Sequence, residues 1–296
     1  MYDVIVAGGS YAGMASALQL ARARCKVLVI DTGQRRNRFA ASSRGFLTRD
    51  GEAPGEIATR AKEQLLDYPT VTWVEGKASN ASGRTDAFAV RTDDGGTHEA
   101  RRLVLATGIV DILPDVPGLA DRWGKTVFHC PYCHGYELNQ GKLGVLAVDP
   151  VSMHQALMLP DWGTTTLFTN GAFAPDDQEK AQLAARGVSI ETTPVASASG
   201  DEGISLQLTD GRNFDLDGLF VAPRMAHASP LAHQLGCRME EWALGSWIAT
   251  DGMKATSVDG VFAAGDAARM AGSVTFAVAD GAQAGFATHR SLMFPG

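Results

Sequence analysis

The sequence predicts an α/β protein of two domains, and three observations lead there. Residues 3–31 and 141–171 each read as a buried strand, a helix of small and apolar residues, and a second strand. A chain of 296 residues is long enough for two domains that each bury a core. With 45% hydrophobic and 20% charged residues it reads as globular, and 33 glycines suit an α/β protein with many tight turns.

Taken in order, "DVIVAGG" and "CKVLVID" are strands on either side of the helical "YAGMASALQLARAR". The following "TGQRRNRFAASSRGFLTRDGEAPGE" is irregular and carries a basic cluster at Arg35, Arg36 and Arg38. A helix is expected over 54–67, then strands in "TVTWVEGKAS", "AFAVRTDD" and "RRLVLATG", with "DDGG" as hairpin turn chemistry. "DILPDVPGLADRWG" holds several turn signals, two of them prolines, and marks a domain boundary. Beyond it, "GKLGVLAV", "SMHQALML" and "TTTLFTNG" make the second β-α-β unit. A helix over 179–186 and strands in "SIETTP", "ISLQLTD" and "DGLFVAPR" follow, with a second domain crossing expected at 238–248. The segment 260–293 reads as a strand, a glycine-aspartate turn and a helix.

Charge and patterning exclude several functions. A net charge of −7 argues against nucleic acid or an anionic membrane as partner, since both require a basic surface. No apolar run approaches the ~20 residues that cross a bilayer. "MYDVIVAGGS" enters a strand pattern directly, without the basic and apolar regions of a secretory signal. A cytoplasmic location is expected, where thiols are kept reduced and a purely structural disulfide is disfavoured.

Gly8-Gly9-Ser10-Tyr11-Ala12-Gly13 lies between a strand and a helix, where a dinucleotide fingerprint must sit. Gly8 makes the tight turn, and Gly13 lets the helix pack against the strand. The helix N-terminus then offers N–H groups and a positive dipole end to a pyrophosphate. Ser10 replaces the usual middle glycine. Asp31, ending the second strand, is placed to accept from ribose hydroxyls.

"FHCPYCHGYE" (128–137) holds Cys130 and Cys133, two of the four cysteines. Its spacing fits covalent haem attachment, half a zinc site, a glutaredoxin-like dithiol, or a dithiol that exchanges electrons with a flavin. Haem attachment conflicts with the expected compartment. Zinc needs four ligands, and Cys25 and Cys237 are isolated. A glutaredoxin module needs a thioredoxin-like sheet, where the flanks offer a linker and a β-α-β unit.

"LVLATG" (103–108) and "GVFAAGDAA" (260–268) resemble the ATG and GD motifs of flavoproteins with two dinucleotide folds. Together with the order of segments, this chain resembles the low-molecular-weight thioredoxin reductases along essentially its whole length. The resemblance implies two Rossmann-like, three-layer dinucleotide-binding domains. Residues 1–113 and 241–296 would form a discontinuous FAD domain, with 114–240 inserted as a degenerate pyridine-nucleotide-type domain carrying the dithiol. It implies FAD as cofactor, with Gln34, Asn37, Thr107, Gly108, Gly265, Asp266 and Val274 joining the fingerprint residues in its site. Asp266 would take the ribityl chain, and the helix starting near Ser273 would point its N-terminus at the pyrimidine end of the flavin. It further implies a homodimer in which Cys133 faces the flavin and forms the adduct at its reactive carbon, while Cys130 exchanges with substrate. His134 stands where thioredoxin reductases carry an aspartate and is a candidate proton shuttle; His129 is a weaker one.

The family pattern fails at the nicotinamide site. "GVLAVDPVSMHQA" keeps no glycine in its turn, and Pro150 sits where a phosphate needs a backbone N–H. "LFTNG" ends without an acid for NAD or arginines for NADP. Loss of nicotinamide binding is therefore expected. In C-P-x-C-H-G and this degenerate domain the chain is most similar to the dithiol oxidases that close gliotoxin- and holomycin-like disulfides. It departs from them at Ser42–Arg44, where that group often carries histidines. The expected function is an FAD-dependent oxidase of a small dithiol, with oxygen as electron acceptor. The alternatives are reduction of a thioredoxin-like protein by NADPH or ferredoxin, and a flavin-bound redox sensor.

Overall fold

The computed structural model describes residues 1–294. The described chain divides into two compact units: residues 1–38, 46–110 and 226–294 form the first, and residues 39–45 with 111–225 form the second.

The first unit opens with Tyr2–Ala7 (β1), Tyr11–Arg22 (α1) and Val27–Asp31 (β2). β1 and β2 pair in parallel, Val4 opposite Val27 through Ala7 opposite Ile30. Alternate residues fill two cores: Val4, Val6, Val27 and Val29 face α1, while Ile5, Ala7, Leu28 and Ile30 face the other side. Apolar side chains on both faces explain why these strands read as continuous apolar runs. Helix Pro54–Leu66 (α2) has a proline in its first turn, where the missing N–H costs nothing. Val71–Glu75 (β3) follows, and the expected strand 70–79 breaks at Gly76, whose N–H turns to the Asp31 carbonyl. Ala78–Arg84 (β4), Ala87–Thr92 (β5) and Thr97–Leu105 (β6) then run antiparallel, giving the sheet order β3-β2-β1-β6-β5-β4. Ile109–Ile112 (β7) carries the chain out.

The second unit contains Val127–Phe128 (β8), Pro131–His134 (α3), Gln140–Leu146 (β9), Ser152–Met158 (α4), Gly163–Phe168 (β10), Asp177–Ala185 (α5) and Ser189–Glu191 (β11). α5 begins two residues before the expected start because Asp176 and Glu179 form a reciprocal capping box, at 2.8 Å in each direction. Val195–Ser199 (β12), Ile204–Leu208 (β13) and Asn213–Leu216 (β14) make an antiparallel sheet; β12 and β14 were not expected. Gly218–Val221 (β15) returns to the parallel sheet, whose order is β11-β10-β9-β15-β8. One face packs Leu146, Phe168 and Leu219 against the antiparallel sheet's Leu206 and Leu208; the other packs Val145, Leu167 and Phe220 against Ala156 and Leu183.

Arg224–His227 (β16) pairs with β7. The second division therefore falls at 225/226 rather than in the expected 238–248. Residues 231–248 contribute core to the first unit: Leu231 and Ala232 of Leu231–Leu235 (α6), Cys237, and Ile248 from the hairpin Met239–Trp242 (β17) and Gly245–Ile248 (β18). Val261–Ala263 (β19) then adds to β6 in parallel, and Val274–Met293 (α7) closes the unit. No helix among the described residues is long and apolar enough to cross a membrane.

α7 lies unusually close to α1. A Cβ at Gly281 would fall on the Ala12 carbonyl, and one at Gly285 on the Ser16 carbonyl. The far end of α7 is held by Arg102, which is 1% exposed. Its guanidinium donates to Ser291 Oγ at 2.9 Å, Ser291 O at 2.8 Å and Asp86 Oδ1 at 2.8 Å. Helix propensity alone would make Gly281→Ala stabilising by about 1 kcal/mol. Overpacking costs about 1–3 kcal/mol, so the expected net effect is destabilising, read as a lower urea midpoint; a raised midpoint would contradict the close approach.

Candidate cofactor cradle and redox site

The two groups of site residues lie in different units. In the first unit, Gly8 adopts φ +99° and a Cβ there would strike the Ala106 carbonyl; one at Gly13 would strike Gly8's. Only glycine fits either position. Gly9 donates to Asp31 Oδ1 at 2.9 Å and Gly33 to Oδ2 at 3.1 Å, so Asp31 ties the turn to the end of β2. Ser10 is the N-cap of α1, yet its side chain makes no capping bond. The first-turn N–H groups thus keep their orientation toward an outside acceptor. α7 differs: Ser273 Oγ accepts from Phe276 N–H at 3.1 Å.

The other expected residues gather around that turn. Ala12 lies against Gly265, where a Cβ would meet the Ala12 methyl, and Val274 opens α7. Thr107 and Gly108 follow β6, the Thr107 N–H side facing Gly8. Tyr11 donates to the Pro54 carbonyl at 3.0 Å and accepts from Asn37 Nδ2 at 3.3 Å. Burial pushes the Tyr11 phenol up, opposed by the Asn37 bond and the charge of Arg35, so it remains a neutral structural group. Gln34 stands apart, with an exposed side chain. Two buried polar atoms here have no partner, Asn37 Oδ1 and Arg35 Nε. Sequence reading missed the partner of Asp266: Arg36 Nη1 meets its Oδ2 at 2.9 Å, from 230 residues away. The basic cluster was visible; its target was not.

In the second unit, Cys130 and Cys133 form a disulfide with Cα atoms 5.3 Å apart. Cys130 is the N-cap of α3, Pro131 opens the turn, and the Cys133 N–H returns to the Cys130 carbonyl at 3.1 Å. Gly135 is required by crowding, since a Cβ would land on the Trp162 ring. Trp162 in turn meets Tyr132 edge-on, with centroids 5.1 Å apart. Tyr132 and Tyr136 are 73% and 85% exposed, so the dithiol is flanked by open aromatic surface. Cys25 and Cys237 are buried free thiols.

His134 stacks on Phe128 with centroids 4.3 Å apart and ring planes at 18°. Its Nδ1 is buried without a hydrogen-bond partner. Burial pushes the imidazole below its usual value, and the charge of Arg44 adds to this. The Cys130 backbone and Glu137 oppose it, and the net effect favours a neutral ring at pH 7. Arg44 and Glu137 are themselves paired, Nε to Oε1 at 3.0 Å. Neither had been singled out in the sequence for this role. His129 contributes its carbonyl, which accepts from Gln155 Nε2 at 2.7 Å.

The turn after β9 is occupied by its own side chains. Val151 donates its N–H to Asp149 Oδ1 at 3.1 Å, and Val148 donates to Ser152 Oγ at 3.2 Å. Pro150 has no N–H to offer. Beyond β10, Asn170 Oδ1 accepts from Val195 N–H at 2.9 Å.

The family described as pyridine nucleotide-disulphide oxidoreductase matches residues 2–152 and 173–283. Thioredoxin reductase tcpT of Claviceps purpurea is 33% identical, over 96% of this chain and 92% of that one. Among solved structures, an oxidoreductase from Agrobacterium tumefaciens aligns at a TM-score of 0.97 and 54% identity, covering 100% of this chain and 99% of that one. HlmI aligns at 0.90 and 36% identity, covering 98% and 92%.

Denatured but unreduced protein should present two reactive thiols to Ellman's reagent, Cys25 and Cys237, and four after reduction. Four before reduction, in protein purified in air, would count against the Cys130–Cys133 bond.

Proposed function

The chain belongs to the pyridine nucleotide-disulphide oxidoreductase family and is an FAD flavoprotein acting on disulfides, and from that footing we propose that it is a dithiol oxidase. It would close a small-molecule dithiol to the disulfide, use no NAD(P)H, and deliver the electrons to oxygen. The turn after β9 carries this reading. A nicotinamide dinucleotide needs free backbone N–H groups there for its pyrophosphate. Here Val148 and Val151 spend theirs on Ser152 and Asp149, Pro150 has none, and the Asp149 carboxylate would repel a phosphate.

The first unit fits FAD. The uncapped start of α1, the tight glycine turn, and the unpartnered Asn37 Oδ1 and Arg35 Nε are what a dinucleotide would satisfy. Gly8, Ser10, Tyr11, Ala12 and Gly13 would hold the pyrophosphate, and Asp31 the adenosine ribose. Thr107, Gly108, Gly265, Asp266, Val274 and Asn37 would line the flavin half. In this reading Gln34 contributes backbone only.

The chain's own steps are thiol–disulfide exchange. A substrate thiolate attacks Cys130 Sγ, the Cys130–Cys133 bond breaks, and Cys133 leaves as a thiolate. The second substrate thiol then attacks the mixed disulfide, releasing the closed product and leaving Cys130 reduced. The pair now holds two electrons from substrate. Neutral His134, four positions from Cys130 and next to Cys133, accepts a proton as the thiols are oxidised again. FAD, when bound, supplies the two-electron acceptor that restores the disulfide and lets oxygen leave as hydrogen peroxide.

A second reading, reduction of a thioredoxin-like protein, is favoured by the name of the relative tcpT and by exposed Tyr132 and Tyr136 beside the pair. A homodimer is supported by the outer face of α7, where Phe276, Phe286 and Met293 are 47%, 58% and 52% exposed.

Anaerobic mixing separates the readings. Dithiothreitol should bleach the yellow protein and peroxide should form on admitting air, while NADPH leaves the spectrum unchanged; rapid bleaching by NADPH would sink the oxidase reading. Cys130→Ser and Cys133→Ser should each lower turnover at least about 10³-fold with FAD retained, since a serine oxygen cannot form the exchange disulfide. Phe286→Glu should give a monomer by light scattering if α7 is a dimer face.

A further inference from the structure

The segment 39–45 belongs to the second unit, although the chain on both sides of it belongs to the first. It docks by Phe39, against which a Cβ at Gly124 would clash, by Ser43, which is 5% exposed, and by the Arg44–Glu137 pair. Glu137 lies three residues beyond His134, in the turn that follows α3. The segment therefore places a cation against an anion that lies three residues from the candidate proton acceptor.

We propose that Arg44 and Glu137 are positioning residues for His134, and that docking of segment 39–45 sets how readily that imidazole holds a proton. The inference rests on the role given above to His134. Docked, the two charges oppose one another at the ring; with Arg44 withdrawn, Glu137 acts alone and favours the imidazolium. The charges of these two act on the ring, while Phe128 covers it with an uncharged face and the Cys130 backbone favours its protonated form through a hydrogen bond. At 31% and 41% exposure the pair is weak enough to open and close. An imidazole half-shielded from water responds to such a change more than an exposed one would.

The test is the titration of His134 in the FAD-loaded protein, followed by NMR of labelled histidines and assigned with His134→Asn. Arg44→Gln should move the midpoint up and Glu137→Gln should move it down. Each shift should be about half a pH unit, which is about a threefold change in the ratio of charged to neutral ring at fixed pH. Arg44→Lys should restore the wild-type midpoint, and about 1 M salt should shrink both shifts. A loss of packing alone would move both variants the same way; that result, or no shift in either at low salt, overturns the proposal. The titration needs neither dithiol nor oxygen. Failure of the oxidase reading would show separately, as no peroxide from dithiothreitol in protein whose His134 shifts as expected.

Discussion

The near-contact of α1 with α7 is the constraint on which the cofactor cradle depends. Gly281 and Gly285 sit one turn apart and face Ala12 and Ser16, also one turn apart, so the two helices touch backbone to backbone. That places the start of α1 beside Gly265 and the Asp266 turn, joining residues from the two ends of the chain. Arg102 pins the opposite end of α7 through Ser291. Held at its middle and near its C-terminal end, α7 has little freedom to slide, and the geometry at its N-terminus follows from contacts made along its length.

The two units use one supersecondary plan with opposite turn chemistry. After β1 the chain keeps Gly8 and Gly13 and leaves α1 uncapped; after β9 it places Asp149, Pro150 and Ser152 and consumes the amides locally. Sheet and cores survive in both, because strand burial does not depend on what the turn binds. Fold and ligand chemistry are separable in this way within a single chain.

Much of the architecture was legible because strands buried on both faces leave an apolar run that no exposed segment imitates. The Gly8–Gly13 turn and Cys130–Cys133 pair were equally legible, since each depends on spacing within a few residues. What escaped depends on distance. Arg36 meets Asp266 across 230 residues, and Arg44 meets Glu137 from a loop that reads as irregular. Arg102 reads as the polar start of a strand, yet it is buried because Asp86 and Ser291 arrive from elsewhere. The boundary after β16 was misplaced because the short β17–β18 hairpin resembles a linker until Cys237 and Ile248 are seen in the core. The start of α5 was a local signal overlooked: Asp176 and Glu179 stand at capping-box spacing.

The Asp149 turn also constrains what the chain can become. A carboxylate that accepts from its own turn is a tethered anion at very high effective concentration, and a free phosphate must displace it to bind. Replacing Pro150 restores one amide while Asp149 still holds another; removing Asp149 frees an amide beside a residue that has none. Neither change gains much without the other, and Ser152 adds a third requirement. Under the oxidase reading proposed above, opening this turn to a dinucleotide is expected to need several changes together.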